Sequence, residues 1–377
     1  MRLPLLLLCL MAVAACVQAP EEAAPTSLTL APELPAQTII PTESPFPTIS
    51  AELPWATPTS TPAATPAPTP PSTPAPTPQQ TQAPVKADYT PLKLLWSYET
   101  GKDVYGAAVS TNGDIVVAGS WDHHVHVLDK SGELLWKFKA RGSVNDVDIT
   151  PSGDRIVATS YVIPNGTVYL FDKSGKLLWK KETESLSKGI AISPTGDSIV
   201  FGLDNDKIIR MDKKGAILWE HETRHSAWGV WDVALTSDGR LVAGSDDAYT
   251  YFFDAAGELS WEDTRGSRSL VLGVDVSPNG DYVAVAAHDN DVYLYKGNSL
   301  LWKYETGRLN YGVALSSDAS YVAVGSWDKN LYLLNRDGKL VVKYPIGSYV
   351  NRVVFSPDDK YLAVAASDGS LYFFEIA

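Results

Sequence analysis

Cysteine is nearly missing. The 377-residue chain has two, Cys9 and Cys16, both within its first sixteen residues. Everything beyond them folds without a disulfide. A basic surplus is missing too. Net charge is −13, and from Tyr89 onward 29 Lys and Arg face 38 Asp and Glu with no basic block. This excludes nucleic acid, and anionic lipid bound through this region, as expected partners. The longest apolar run, Leu3 to about Ala12, is about half of what a bilayer-spanning helix requires. Motifs of catalysis are also absent: there is no nucleophile elbow, no Walker loop and no carboxylate pair marked by spacing. Ser185-Leu186-Ser187-Lys188 has the form Ser-x-x-Lys, but that chemistry needs a helix and two companion motifs, and this segment reads as a loop between strands.

What is present divides the chain into three parts. Residues 1–15 have a short positive start, an apolar stretch and the small residues Val13-Ala14-Ala15 ahead of Cys16. That is the pattern of an export signal. The cysteine placed there resembles the lipobox of bacterial lipoproteins. The resemblance implies that Cys16 becomes the first mature residue and carries diacylglycerol, so that the only membrane contact is the lipid. Residues 16–88 follow as a stalk. Between Val17 and Asp88 lie 18 of the 26 prolines, mixed with Thr, Ala, Ser and Gln. Proline removes donors and fixes φ, and too few large apolar groups remain to offset the entropy of ordering. The expectation is a semi-rigid polyproline II spacer that reaches at most about 220 Å at about 3.1 Å per residue. Its Thr-Pro pairs are compatible with O-glycosylation by composition alone.

Residues 89–377 are built on a repeat. The phrase Leu-Leu-Trp or a close variant ends at Trp96, Trp136, Trp179, Trp219, Trp261 and Trp302, at spacings of 40, 43, 40, 42 and 41 residues. A seventh copy places Val342 40 residues further on. Each unit reads as four short strands, a to d, separated by Asp-, Asn-, Gly- and Pro-rich turns. Strand b is apolar throughout, as in Tyr282-Val283-Ala284-Val285-Ala286-Ala287, which fits a sheet covered on both faces. Strand a recurs seven times, near Val104, Val144, Lys188, Val230, Val271, Asn310 and Val350. The domain starts on a d strand (Leu92 to Tyr98) and stops on a c strand (Leu371 to Phe374). The expected fold is therefore all-β: a seven-bladed β-propeller of four antiparallel strands per blade. The N-terminal strand completes the last blade, with Trp96 beside Phe373, and the closed ring has no open edges. A monomer is expected.

Val168-Tyr169-Leu170-Phe171-Asp172-Lys173-Ser174-Gly175-Lys176-Leu177-Leu178-Trp179 resembles the repeats of pyrroloquinoline-quinone-type propellers. Ser356-Pro357-Asp358-Asp359-Lys360-Tyr361-Leu362-Ala363 resembles those of WD-repeat proteins. The resemblance covers about 290 residues and speaks to fold more than function. No quinone cofactor is expected. The quinone dehydrogenases that share the repeat are longer and eight-bladed, carry a calcium site, and in many cases have a vicinal disulfide that this domain lacks. A lipoprotein propeller of the outer-membrane assembly machinery is similar in repeat and anchoring, although it is eight-bladed and has no such stalk.

The six repeated tryptophans are assigned to blade junctions, where an indole buries much apolar area. His123-His124-Val125-His126 places two imidazoles on one strand face, but the sixth unit carries Lys329-Asn330-Leu331-Tyr332 in those columns, so no metal is expected. Asp204-Asn205-Asp206 and Asp289-Asn290-Asp291 lack the rest of a calcium loop. Two columns vary between units instead of repeating. The b–c turn reads Trp121, Tyr161, Asp204, Asp246, His288, Trp327 and Ser367. The column before strand a reads Tyr105, Asn145, Lys188, Trp231, Leu272, Tyr311 and Asn351. Both should ring one mouth, with Arg224, His225, Trp228, Arg265, Arg268 and Arg308 in the neighbouring d–a loops. Tyr105, Trp121, Tyr161, Trp231, His288, Tyr311 and Trp327 are the candidate binding face, since packing alone does not ask for such aromatics at turns.

The expected function is a scaffold that binds a protein or glycan of the cell envelope, more so than an enzyme. The alternatives are an extracellular propeller enzyme of lyase or lactone-hydrolase type, or a sensor component. No catalytic residue is assigned. Labelled palmitate should follow the full chain expressed in a bacterial host and vanish with Cys16→Ser. Label retained on the serine variant would refute the site.

Overall fold

The computed structural model describes residues 91–264 and 269–376. The expected signal segment, Cys16, the stalk, Arg265 and Arg268 lie outside the described residues.

Among the described residues, 28 strands form seven four-stranded antiparallel sheets. One 3-10 turn, Thr111–Gly113, is the only helical element among them, and no helix there is long and apolar enough to cross a membrane. Blade 1 consists of strands Val104–Val109 (a), Ile115–Ser120 (b), His124–Asp129 (c) and Leu134–Lys139 (d). Blades 2 to 6 repeat that order from a strands that begin at Ser143, Ser187, Val230, Val271 and Asn310. Blade 7 takes a, b and c from Val350–Phe355, Tyr361–Ala366 and Ser370–Ile376, and its d strand is Leu92–Glu99. Each a strand neighbours the a strand of the next blade, and the seventh returns to the first. The a strands thus surround the axis and the d strands form the rim.

Closure follows the expected register. Trp96 pairs with Phe373, and the two rings stack with centroids 4.9 Å apart. The cores lie between blades. One cluster joins Val117, Val125 and Val127 of blade 1 to Val144, Ile156 and Phe171 of blade 2. This is why strand b carries no polar alternation: Tyr282–Ala287 is buried from its second residue onward.

The repeated indoles lie across the junctions. Trp96, Trp136, Trp179 and Trp302 each donate Nε1–H to a carbonyl in the c–d turn of the next blade: Lys130, Lys173, Lys213 and Arg336, at 2.7–3.0 Å. The turn glycine is what admits the ring. Gly132, with φ +87°, would place a Cβ 2.8 Å from the Trp96 indole. Trp219 meets Gly257 in the same way, and Trp261 stacks on Phe252 at 5.3 Å. The exception at Val342 has a physical cause. Blade 6 faces blade 7, whose c and d strands are the two ends of the domain. No c–d turn exists there to accept an indole, and Val342 is instead buried in the apolar junction.

Phe373 is fully buried at the seam. Phe373→Ala should cost about 3–5 kcal/mol, read as a lower midpoint in urea unfolding. An unchanged midpoint would mean that the seam does not carry the ring.

Candidate functional site

The mouth is built by two backbone devices that repeat. The first is a bulge. In every blade the a–b register slips at the start of strand a, for example between Val104 and Gly106 and between Asn310 and Gly312. The slip also occurs in the other five blades. The skipped residues include Tyr105, Asn145, Lys188, Trp231, Leu272, Tyr311 and Asn351. This corrects the expectation that the column precedes strand a: it lies within the strand, as the unpaired residue of a bulge, where a side chain is re-aimed away from the sheet. The second device ties the b–c turn to the same end. Trp121 N donates to Asp103 O at 2.9 Å and Trp327 N to Leu309 O at 3.0 Å, with equivalent bonds at Asp204, Asp246, His288 and Ser367. Blade 2 departs from this pattern. Its b–c hairpin is longer, and Tyr161 lies inside strand Arg155–Val162.

The two columns meet as one aromatic array. Tyr105 stacks on Trp121 at 4.4 Å, Trp121 meets Tyr161 edge-on at 6.5 Å, and Tyr105 meets Tyr311 edge-on at 5.8 Å. Tyr311 also contacts Trp231 at 5.9 Å and stacks on Trp327 at 5.8 Å. Rings from blades 1, 4 and 6 therefore converge on Tyr311, across the axial opening. Trp327 continues onto Tyr349 at 5.0 Å, a ring not in the expected set. Burial raises the phenol pKa values of Tyr105, Tyr161 and Tyr311. The array is thus a desolvated cap, and among the described residues the buried Trp121 Nε1 has no hydrogen-bond partner. His288 is not part of the array; it is exposed at its turn.

Lys188 extends the array chemically. Its Nζ donates to the Trp228 carbonyl and lies 3.6 Å from the centroid of the Trp231 ring. Burial drives its pKa down to about 7 against the pull of Asp204, Asp246 and Asp206. Among the d–a loop residues, Arg224 pairs with Glu262 and lies over Tyr249 at 4.3 Å. His225 bonds Asp206 at 2.9 Å. Arg308 lies over Tyr349 at 5.8 Å, and Trp228 is exposed.

Beneath the cap runs a charged layer that sequence reasoning missed. Strand a is the inner edge of each sheet, so its outward N–H groups face the axis. Asp146 Oδ2 accepts from Ile190 N at 3.0 Å, and Asp148 Oδ2 from Ile192 N at 2.8 Å. Asp232 Oδ2 accepts from Val274 N at 3.0 Å, and Asp275 Oδ2 from Leu315 N at 2.7 Å. Each carboxylate clips its blade to the next. Arg352 from blade 7 reaches across to Asp232 at 2.6 Å and Asp146 at 3.5 Å. The signal was available in the same alignment of units. The residue after the bulge reads Gly106, Asp146, Gly189, Asp232, Gly273, Gly312 and Arg352: glycine where the next backbone crowds in, charge where it does not. A Cβ on Gly189 would stand 2.6 Å from the Asp232 Cα.

Burial raises Asp148 to about 6 and Asp275 to about 7, although both remain half-open to the channel. Burial also raises Asp146, against Arg352. Burial lowers Arg352, but Asp146 and Asp232 more than offset it.

The fold and this site define a class: a seven-bladed β-propeller of PQQ-like and WD-type repeats with an aromatic-capped axis. Residues 164–308 match the family model of the outer membrane protein assembly factor BamB, and residues 92–129, 132–172 and 338–375 match the WD domain, G-beta repeat. Each WD match begins near a d strand and ends with strand c of the following blade, so the sequence repeat is offset from the blade by one strand. No curated protein matches the chain.

These shifts set a pH dependence. Unfolded aspartates titrate near about 3.9, while Asp148 and Asp275 hold protons to about 6 and 7. The native state therefore binds more protons across that window, and stability falls as pH rises through it. Lys188 acts in the opposite direction. It loses its proton at about 7 in the fold and near about 10.4 unfolded, so stability is regained above neutrality. Asp238, held down to about 2 by Arg240, acts below the window. Urea midpoints should dip near neutrality, Asp275→Asn should flatten the acid limb and Lys188→Met the alkaline limb. Unaltered limbs in these variants would contradict the assignment.

Proposed function

We propose that this protein is a lipid-anchored, extracytoplasmic scaffold, held away from the membrane by its stalk, which grips a protein or glycan through the aromatic mouth. The β-propeller with BamB-like repeats supports the scaffold part of this reading, and the association of those repeats with the bacterial envelope supports the location. The observation that carries the choice of face is the aromatic array itself, in which rings from blades 1, 4 and 6 converge on Tyr311 at one end of the axis. Stacked, orientable rings with a polar handle are suited to planar side chains and sugar faces alike. The core columns are kept nearly constant from blade to blade, whereas each mouth column holds five residue types over seven blades, with only blades 1 and 6 alike in both. This is the pattern expected when packing governs one set and recognition the other.

The test is capture from the native envelope with the full chain as bait, beside the triple variant Trp121→Ala, Tyr311→Ala, Trp327→Ala. The expected result is loss of the captured partner by tenfold or more, with circular dichroism unchanged. If the variant keeps its fold and captures every partner at wild-type yield, the chosen face is wrong.

A further inference from the structure

The histidine-rich hairpin of blade 1 carries a second site. Five blades share one arrangement in the b–c hairpin: an aspartate at the turn bonds the side chain four residues on. In four of them that side chain is a tyrosine. Tyr251 OH donates to Asp247 at 2.5 Å, Tyr293 OH to Asp289 at 2.8 Å and Tyr372 OH to Asp368 at 2.6 Å, and Tyr332 OH donates to Asp328. In blade 1 the aspartate is Asp122 and the partner is His126, with Nε2 3.0 Å from Asp122 Oδ2. The residue between, which is Tyr249, Asp291, Asn330 and Ser370 in the other four, is here His124. The repeat thus supplies its own control. Tyrosine meets the structural need, yet blade 1 replaces it with imidazole and adds a second imidazole on the same face.

The three side chains point at one another. Asp122 Oδ2 is 3.3 Å from His124 Nδ1 and 3.0 Å from His126 Nε2, and one ligand atom from each of the three lies within 4.8 Å of the others; His124 Nδ1 also lies 2.9 Å from the Asp122 carbonyl oxygen, a contact that a metal at this nitrogen would replace. Bonds of about 2.0–2.1 Å in a tetrahedral zinc site set ligand atoms about 3.3 Å apart. Asp122 Oδ1 is already used, accepting from His124 N at 2.9 Å, which fixes the carboxylate and leaves Oδ2 facing inward. The other nitrogen of His126, Nδ1, is 3.2 Å from Tyr98 OH. That outer contact orients the ring, as the partners of metal-bound histidines do. His126 is buried with 2% side-chain exposure, while Asp122 and His124 keep 17% and 22%, so the cluster opens to solvent on one side. Lys137 and Lys139 are the cross-strand neighbours of His126 and His124; their flexible stems allow both ammonium groups to turn outward.

We infer that Asp122, His124 and His126 form a binding site for a divalent transition metal, Zn(II) by ligand type and geometry, with a fourth position open to water. Nitrogen and carboxylate donors of this kind select zinc-class ions over calcium or magnesium. The site is at the ring seam, since Tyr98 belongs to the closing strand and His126 to blade 1. All three ligands come from one hairpin of blade 1, so the closing strand touches the site only through the Tyr98 contact to His126 Nδ1.

The experiment is calorimetric titration of the full chain, free of any affinity tag, with Zn(II) alone, repeated with Co(II) for its visible absorption. Wild type should bind one equivalent of Zn(II) saturably, give the absorption bands of tetrahedral Co(II), and unfold at a higher temperature with metal than with chelator. His126→Tyr installs the pairing of the other four blades and should keep the fold while weakening Zn(II) binding at least tenfold. His124→Ser, which copies blade 7, should do the same, and Tyr98→Phe should weaken binding less. His225→Ala should leave binding unchanged. Absence of saturable binding by wild type, wild-type affinity in His126→Tyr, or loss of binding in His225→Ala would each overturn the site.

Discussion

Everything in this structure depends on the antiparallel pairing of Leu92–Glu99 with Ser370–Ile376. A blade of four strands cannot bury both of its faces alone. Each core cluster here is shared between neighbours, so one open seam would leave two apolar faces in water. The closing strand removes that exposure and keeps Ser370–Ile376 from being an unpaired edge. It also explains why the tryptophan repeat is interrupted where it is. An indole needs a c–d turn on the next blade, and the closing blade has chain ends in that place.

Closure brings seven inner edges around one axis, and their unpaired backbone donors then need partners. Four aspartates meet part of that need, and Arg352 compensates part of their charge. The cost is desolvation, visible in the raised carboxyls of Asp146, Asp148 and Asp275. Two of the four aspartates, Asp146 and Asp232, stand in the column after the bulge, where glycine is found wherever the adjacent backbone comes too close for a Cβ. A single column thus alternates between two solutions to one crowding problem.

Divergence among the units separates packing from other roles. The blade-junction column hardly changes, because each junction poses the same geometric demand. The bulge and b–c turn columns are released from that demand and hold tyrosine, tryptophan, lysine and asparagine in turn. Asn145 and Asn351 use the bulge position to reach the backbone of the next blade, at Ser187 O and Val104 O. Tyr105, Trp231 and Tyr311 use it to cover the axis. Blade 1 diverges again in its c strand, where two imidazoles and Asp122 come together.

Strand order, blade number and the closing register were legible in the sequence because they follow from local information: turn residues at fixed offsets, an apolar strand b, and a repeat cut between strands c and d. The mouth columns were legible for the same reason, since a variable position in an aligned repeat stands out without coordinates. The tertiary structure alone decided what those columns do. Only the bulge places Tyr105 and Tyr311 over the axis, and only the curvature of the ring brings a ring from blade 4 onto one from blade 6. The ion pairs of Arg352 with Asp146 and Asp232 join residues separated by 206 and 120 positions, and no spacing rule connects them. Asp122 could not be assigned to the histidines until the hairpin turned its carboxylate inward. Contacts set by the repeat are local and periodic, so composition and spacing encode them; contacts across the axis depend on where seven separate edges converge, which no single repeat contains.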